Sequence, residues 1–379
     1  MESTRLLDME WTTAIAPSVS TITFYSGTST SHADTKAYIQ ARVDAIVHAN
    51  PWLTGRLKSG WFWSNLTLEF NPNPPKVIVE EAHLPELSPQ LDYAKVLAAC
   101  IPYEVVTGTA LINSDHPAFR VTWINISDSL GALFFSLAHG VADGYTYYRL
   151  YGMLTAATPI EALTPTRFKD FPKGLNAAVK GGNDATPLFS SMPYPKSSVH
   201  DAHFQPRVDC PREDQAQGNF ASWLRLHQRH YHIMGFSSMK CDVGFMAINF
   251  RGRIDGVDRK LAGNYESVLG YQPEDYTTPA LIRESLAKNG FRRARSGVFP
   301  SMWRNTSAIA TSWITLYEPA ELPGWNMVEH LPAVAGSTPF TTTVAFFQRT
   351  PTSIGMILGA RGELNVDNEA AVAPAAATN

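Results

Sequence analysis

A short motif between a strand-like run and a helix-like run constrains the fold of this chain more than any other feature. Residues 132–138 are apolar and rich in aromatic side chains, which is typical of a strand buried in a core. Residues 145–157 carry tyrosine and leucine at helical spacing. The motif His-Gly-Val-Ala-Asp-Gly occupies residues 139–144 between them. A rigid junction of this kind presents a side chain at a defined position, so we expect His139 to face a cleft.

The residue types of the motif suit acid–base chemistry. A neutral imidazole such as that of His139 can accept a proton from an alcohol or an amine. Asp143 lies where the helix is predicted to start, and a carboxylate there can cap the helix or pair with an arginine. Gly140 and Gly144 remove side-chain bulk and allow substrate and backbone to approach closely. The alternative interpretation is a histidine packed in the core beside an ordinary helix cap.

Length and overall charge limit the number of domains and the possible partners. The chain has 379 residues, of which 44% are hydrophobic and 17% are charged, so it can bury a large core in two or three domains. Its formal net charge of -3 at pH 7 offers no general attraction to nucleic acid or to anionic membranes. We therefore expect no nucleic-acid partner.

Cysteine spacing and the length of the apolar runs indicate the compartment. Cys100, Cys210 and Cys241 lie far apart and show no zinc or redox spacing. No run reaches membrane-spanning length, and the first residues lack the apolar core of a signal peptide. We therefore expect no membrane span and a cytoplasmic location.

Changes in composition divide the chain into four parts. Residues 1–158 and 218–364 carry the apolar patterns of two folded halves. Residues 159–217 are rich in proline and polar residues, which predicts a long crossover between the halves. Residues 365–379 are rich in alanine without apolar periodicity, which predicts a mobile tail.

The same patterns predict individual elements. Strands are expected at residues 19–25, 61–70, 76–80, 119–126, 131–138, 244–250, 308–316, 340–348 and 353–358. Helices are expected at residues 34–49, 145–157 and 279–288. Ser31 and Asp34 supply capping groups for the first of these helices.

Four further segments accompany the HxxxDG pattern of the motif. They are Pro-Trp-Leu-Thr-Gly-Arg-Leu at residues 51–57, Asn-Phe-Arg-Gly-Arg at 249–253, Leu-Ala-Gly-Asn at 261–264 and Thr-Ser-Trp at 311–313. In type and order the five segments resemble those of the chloramphenicol-acetyltransferase-like acyltransferases, which include the plant-type BAHD enzymes and the condensation domains of peptide synthetases. Ala138 stands where condensation domains carry a second histidine, and Glu-Leu-Pro-Gly-Trp at 321–325 stands where plant enzymes carry DFGWG.

The resemblance implies both a fold and a reaction. The fold is an α/β fold of two pseudo-symmetric halves, each a mixed β-sheet flanked by helices, with a channel between the halves and His139 midway along it. The reaction is proton removal by His139 from a small-molecule alcohol or amine acceptor, which attacks an acyl-CoA thioester directly. No covalent acyl-enzyme is expected, and the chain shows no G-x-S-x-G motif. Acyl-CoA is the expected co-substrate, with no permanently bound cofactor, in a reaction of secondary metabolism.

The resemblance also assigns roles to residues outside the motif. It implies that Arg251 pairs with Asp143 and so ties the first half to the second. It implies that Ser312 and Trp313 line the acceptor pocket, although an ordinary core position for Trp313 is equally compatible with the sequence.

Two other segments carry residue types that bind ligands. Arg292 and Arg293 lie in a basic loop that can bind the phosphates of coenzyme A, with a solvated surface loop as the alternative. A histidine cluster comprises His227, His230 and His232. Because arginines lie within this cluster and no carboxylate or cysteine does, we predict no metal site.

The sequence therefore predicts an acyl-CoA-dependent O- or N-acyltransferase with His139 as general base. The alternative reaction is a condensation that uses a carrier-protein thioester, which Ala138 disfavours. The alternative outside enzymes is a member of the fold that binds a small molecule or a partner protein without catalysis.

Overall fold

The computed structural model describes most of the chain in two compact units. The described residues are 1–27, 31–60, 65–179, 202–205, 241–271, 279–286, 306–334 and 342–361. The first unit comprises Met1–Pro172, Asn249–Glu266 and Thr315–Ala335, and the second comprises Lys173–Ile248, Ser267–Ile314 and Gly336–Asn379. Each unit is therefore assembled from segments that are far apart in the sequence.

The helices and strands alternate irregularly along the described residues. Up to the motif they are β1 (Glu2–Arg5), α1 (Glu10–Ala14), β2 (Val19–Gly27), α2 (His32–Ala49), β3 (Arg56–Lys58), β4 (Thr67–Phe70), β5 (Glu80–His83), α3 (Tyr93–Cys100), β6 (Phe119–Ser127) and β7 (Leu130–Leu137). After it come α4 (Gly144–Gly152), α5 (Phe171–Ala178), β8 (Ala202–Gln205), β9 (Cys241–Asn249), β10 (Glu266–Tyr271), α6 (Pro279–Ser285), β11 (Thr306–Ser312), β12 (Trp325–Pro332), β13 (Thr342–Thr350) and β14 (Ser353–Arg361). Within the described ranges, no helix has both the length and the apolar character needed to cross a membrane.

Both units contain a mixed sheet with helices. In the first unit the strand order is β12-β2-β7-β6-β5, antiparallel except for the parallel pair β5 and β6. A smaller sheet of the same unit has the order β1-β4-β3. In the second unit the order is β10-β9-β11-β13-β14-β8, where β11 is parallel to β9 and β13, while β14 is antiparallel to β13 and β8. The predicted α/β class with mixed sheets and flanking helices is confirmed.

Strand β2 binds α4 through a buried layer of hydroxyl groups. Its sequence alternates apolar and hydroxyl side chains, and both of its faces are buried over most of its length. Thr21 Oγ1 lies 2.7 Å from the Tyr147 hydroxyl, and Thr23 Oγ1 lies 2.6 Å from the Tyr151 hydroxyl. Because each buried hydroxyl has a partner, this polar layer avoids the cost of unsatisfied groups. It fixes α4, and with it the motif, on the sheet.

Helix α4 ends at Gly152, before the predicted end. Arg42 on α2 donates from Nε to Met153 O at 2.8 Å and from Nη2 to Thr155 O at 2.9 Å. These carbonyl oxygens would accept from backbone N–H groups if the helix continued. A guanidinium from a distant helix therefore supplies the C-terminal hydrogen bonds, a signal that the local sequence does not contain.

Several elements lack a sequence pattern of their own and are absent from the expected strands and helices. Strand β1 and helix α1 span only four and five residues, too few to show a period. Strand β12 carries Glu329 and His330 at buried positions, which breaks the apolar alternation. The strand expected at residues 76–80 begins only at Glu80, where β5 pairs with β6. The other additions are strands β3, β8 and β10 and helices α3 and α5.

Part of the predicted organisation lies outside the described residues. This applies to residues 61–64 of a predicted strand, to the tail at 365–379 and to most of the crossover at 159–217. The described parts of that crossover include α5 and β8. The predicted bounds of the four parts stay predictions.

His330 is a buried, neutral histidine in the first unit. Its Nδ1 lies 2.7 Å from Thr23 Oγ1, and its Nε2 lies 3.0 Å from the Tyr148 hydroxyl. Burial lowers the pKa of His330 to about 3. In the unfolded chain the same imidazole has an ordinary pKa of about 6.5. Between about pH 6.5 and pH 3 the unfolded state therefore binds a proton that the folded state does not.

We predict that this difference makes the first unit labile to acid. The stabilisation is fully present above about pH 6.5 and is lost as the pH falls towards about 3, by an amount on the order of 4 kcal/mol. His330→Asn should lower stability at pH 7 but flatten its dependence on pH, as measured by urea midpoints between pH 7 and pH 4.5. His48→Asn, at an exposed position of α2, serves as the control. Equal slopes for wild type and His330→Asn would contradict the prediction.

Candidate active site

His139 follows β7 in a tight turn and keeps part of its side chain accessible. The turn is closed by a 3.0 Å hydrogen bond from Val141 N–H to Ala138 O. The imidazole Nδ1 lies 3.1 Å from Oδ1 of Asn264, and Nε2 lies 3.6 Å from Oε1 of Glu266. The His139 side chain is 22% exposed. The predicted base thus lies at a strand end, with both ring nitrogens facing polar groups.

The amide of Asn264 is oriented with its oxygen towards Nδ1 of His139. Its Nδ2 donates to His139 O at 2.9 Å and to Glu10 Oε1 at 3.2 Å. The opposite amide orientation would place its oxygen against two acceptors, so Oδ1 faces the imidazole. Nδ1 is then the donor, so in the neutral ring the proton lies on Nδ1 and Nε2 keeps its lone pair. This tautomer is the one that a general base acting through Nε2 requires.

A buried ion pair holds Asn264 in turn. Arg167 Nε lies 2.9 Å from each carboxylate oxygen of Glu10, and the two side chains are 1% and 0% exposed. Glu10 Oε1 also accepts from the backbone N–H of Asn264 at 3.0 Å. Arg167 further donates to Val141 O, within the motif, at 3.2 Å. The pair therefore connects α1, the motif and the turn that carries Asn264.

Sequence reasoning did not assign any role to Glu10 or Arg167. The two residues are 157 positions apart, and Glu10 is 254 positions from Asn264. No local spacing can signal contacts of that range. Burial of a charged residue is the relevant signal, and only tertiary structure reveals it.

The side-chain carboxylate of Asp143 accepts three hydrogen bonds. Its Oδ1 accepts from Thr146 N–H at 2.9 Å, which caps α4. Its Oδ2 accepts from Arg251 Nη1 at 2.6 Å and from Tyr265 N–H at 3.1 Å. Gly144 follows as the first residue of α4 and is buried. These contacts suit a residue that orients the turn rather than one that exchanges a proton.

Arg251 uses every N–H of its guanidinium group. The acceptors are Asp143 Oδ2 (2.6 Å), Leu261 O (2.8 Å), Gly263 O (2.8 Å), Thr146 Oγ1 (3.0 Å) and Asn249 Oδ1 (3.2 Å). The group also lies 4.7 Å from the ring centre of Tyr145 and 4.9 Å from that of Tyr265. Asp143 lies in the first predicted half, residues 1–158, and Arg251 in the second, residues 218–364, and both belong to the first compact unit.

Two glycines near the site lie so close to neighbouring residues that a side chain would not fit at either position. Gly263 has φ +117°, and a Cβ there would lie 2.4 Å from Arg167 Cζ. A Cβ on Gly140 would lie 2.8 Å from the Cα of Ala14 in α1. The motif glycine is therefore needed because α1 packs against the turn.

Glu266 is the one carboxyl among the described residues that faces Nε2 of His139. Its side chain is 30% exposed, although most of its surroundings are protein. Burial raises the pKa of Glu266, and the charge of Asp143 raises it further, whereas His139 and Arg251 lower it. Sequence reasoning missed this residue because a glutamate at the start of a strand carries no distinctive pattern.

The remaining predicted residues belong to the second unit or lie outside the described residues. Ser312 ends β11 in the second unit, and no described group hydrogen-bonds its buried Oγ. Trp313 donates from Nε1 to Thr311 Oγ1 at 3.1 Å. The proposed ligand-binding segments with Arg292, Arg293, His227, His230 and His232 lie outside the described residues. Their roles stay predictions. Within the described ranges, no cluster of histidine, cysteine, aspartate or glutamate is suited to a metal ion.

Comparisons with known proteins identify the fold. No family model matches the sequence, and no curated protein matches it. Among solved structures, the chain is similar to F. sporotrichioides TRI101 complexed with coenzyme A and T-2, with TM-score 0.65, 12% identity and coverage of 94% of this chain and 95% of that one. It is also similar to vinorine synthase (TM-score 0.62, 13% identity, 98% and 92% covered). The first condensation domain of the CDA synthetase is a further match (TM-score 0.61, 10% identity, 95% and 90% covered).

These similarities show a fold rather than an activity. The chain shares the fold of these acyltransferases and condensation domains, which confirms the fold that the resemblance in the sequence implied.

We predict that breaking the Arg251–Asp143 pair strongly destabilises the first unit. Arg251→Met leaves Asp143 as a buried charge without its partner, which costs about 3–5 kcal/mol. Chemical denaturation measures this loss. The Lys36→Met control breaks an exposed pair with Glu81 and should cost no more than about 1 kcal/mol. A loss for Arg251→Met as small as that of the control would show that the pair contributes little.

We also predict that Asn264 determines the tautomer of His139. ¹⁵N NMR of the histidine-labelled protein should show His139 protonated at Nδ1 in the wild type. Asn264→Leu removes the acceptor and should shift the ring towards the Nε2-protonated form, while Asn125→Leu, at a partly exposed position of β6, should not. A wild-type His139 protonated at Nε2 would refute the assignment.

Proposed function

We propose that this protein is an acyltransferase that moves an acyl group from a coenzyme A thioester to a hydroxyl or amine of a small molecule. One observation carries the proposal. The partly accessible His139 lies at the strand–helix junction, and the oxygen of the Asn264 amide faces its Nδ1, which leaves Nε2 as the nitrogen available to act as base. The fold supports it, because a similar structure, that of TRI101, is a complex with coenzyme A.

The proposed reaction uses His139 twice. The acceptor donates its hydrogen to Nε2 from about 2.6–3.2 Å and attacks the thioester carbonyl carbon. Nε2 takes the proton as the new bond forms, and a tetrahedral oxyanion results. The carbon–sulfur bond then breaks, and the imidazolium returns the proton to the leaving sulfur. The products are the acylated acceptor and free coenzyme A, with no covalent acyl-enzyme.

The surrounding residues hold the base rather than react. Asn264 keeps Nδ1–H bound during both proton transfers, and its Oδ1 faces the positive charge of the imidazolium. Asp143 and Arg251 fix the start of α4, while Glu10 and Arg167 fix Asn264. We assign these residues a positioning role.

A condensation reaction with a carrier-protein thioester is the second candidate. The observation in its favour is the similarity to condensation domains, including one from the polyketide synthase MokA at TM-score 0.59. Ala138, in place of a second histidine, counts against it.

We predict that His139→Ala abolishes acyl transfer. A general base contributes about 10²–10⁴ in rate, so the variant should lose at least about 100-fold in coenzyme A release. The measurement is a thiol-release screen across acyl-CoA chain lengths with a panel of alcohols and amines. His83→Ala, at an exposed position, is the matched control.

The screen also separates the candidates. Full activity of His139→Ala with every acceptor would exclude His139 as the base. Turnover of a carrier-protein thioester, without turnover of any acyl-CoA, would favour the condensation reaction instead.

A further inference from the structure

The carboxyl group of Glu266 faces the reacting nitrogen of His139, yet the mechanism above does not use it. Glu266 Oε1 lies 3.6 Å from His139 Nε2, too far for a hydrogen bond between them. Among the described residues, no donor hydrogen-bonds the Glu266 carboxylate. Both side chains keep accessible surface, 30% for Glu266 and 22% for His139. A ligand group can therefore reach both atoms.

Among the described residues around Nε2, one carboxyl group has no guanidinium partner. Asp143 pairs with Arg251, and Glu10 pairs with Arg167, each at hydrogen-bond distance. A histidine that serves as a general base is neutral. Within the described part of the chain, Glu266 is the remaining carboxyl of this group, and it has no guanidinium partner. The space beside the Glu266 carboxyl group and Nε2 of His139 therefore suits a positively charged ligand group.

We propose that Glu266 binds the amino group of the acceptor, so that the acceptors of this protein are amines. This inference rests on the proposed acyltransferase function and narrows it from alcohols or amines to amines.

Hydrogen-bond counting supports an amine over an alcohol. The reacting atom must lie within hydrogen-bond distance of Nε2, and from there it is also within reach of Glu266 Oε1. A hydroxyl has one hydrogen, which it gives to Nε2, and the carboxylate can only accept. A primary ammonium has three N–H groups and can donate to both atoms. Burial raises the pKa of Glu266, and a bound cation would favour its ionised form again.

Glu266 and His139 together can accept the two protons that an ammonium group loses when it becomes an amide. Glu266 takes the first proton, which leaves a neutral amine with its lone pair free. The amine nitrogen attacks the thioester carbonyl carbon, and His139 Nε2 takes the second proton. The carbon–sulfur bond breaks, and His139 protonates the sulfur. Glu266 releases its proton to solvent, so the products are an amide, free coenzyme A and one proton.

The experiment compares matched acceptors in matched variants. Phenethylamine and phenethyl alcohol, and tryptamine and tryptophol, are offered with acetyl-CoA and hexanoyl-CoA to wild type, Glu266→Gln and Glu81→Gln. The Glu81→Gln control removes an exposed carboxylate on β5. Thiol release gives kcat/KM, mass spectrometry identifies amide or ester, and calorimetry gives the Kd of phenethylamine at pH 7 without acyl-CoA.

We expect wild type to prefer the amine of each pair. Glu266→Gln should lower the amine-to-alcohol ratio of kcat/KM by at least about tenfold and weaken phenethylamine binding by a similar factor. The control variant should change neither quantity.

Three results would overturn the inference while acyl transfer itself stands. They are acylation of alcohols alone by wild type, an unchanged ratio in Glu266→Gln, and a rise in transfer to both acceptor types in that variant. The last would show that Glu266 blocks Nε2. Absence of thiol release from any acyl-CoA by wild type would instead overturn the proposed function, and the inference with it.

Discussion

The buried pair of Arg251 and Asp143 is the interaction on which the arrangement around His139 depends. One carboxylate caps α4, binds the guanidinium and accepts from Tyr265 N–H, so three chain segments meet at a single side chain. Because both partners are almost fully buried, the pair tolerates no loss of one member. The motif aspartate thus acts by holding the turn in which the histidine lies.

The state of the imidazole depends on a second, independent set of contacts. Arg167 holds Glu10, Glu10 holds the Asn264 amide, and the amide holds Nδ1 of His139. Each donor in this series faces an acceptor, and reversing the amide would place acceptor against acceptor at two positions. The hydrogen bond at Nδ1 of His139 therefore depends on α1 and the turn at residues 263–264 as much as on the motif.

Local patterns were enough to predict much of the first unit. The alternation of β2, the pair β6 and β7, and the apolar face of α2 all appear where periodicity placed them, because burial of one face dictates the residue spacing. The patterns did not show that the hydroxyl face of β2 is buried against the tyrosines of α4. They also did not show that Arg42 limits α4, since that contact comes from another helix.

The candidate site likewise contains some residues that the sequence indicated and others that only the tertiary structure brought there. The sequence by itself determined that His139 and Asp143 flank a strand–helix junction, and the resemblance named Arg251 as the partner of Asp143. Only the tertiary structure placed Glu10, Arg167 and Asn264 behind the imidazole and Glu266 in front of it. The reason is physical: residue spacing encodes which faces of helices and strands are buried. The protonation and charge at a site depend instead on groups that approach from distant parts of the chain.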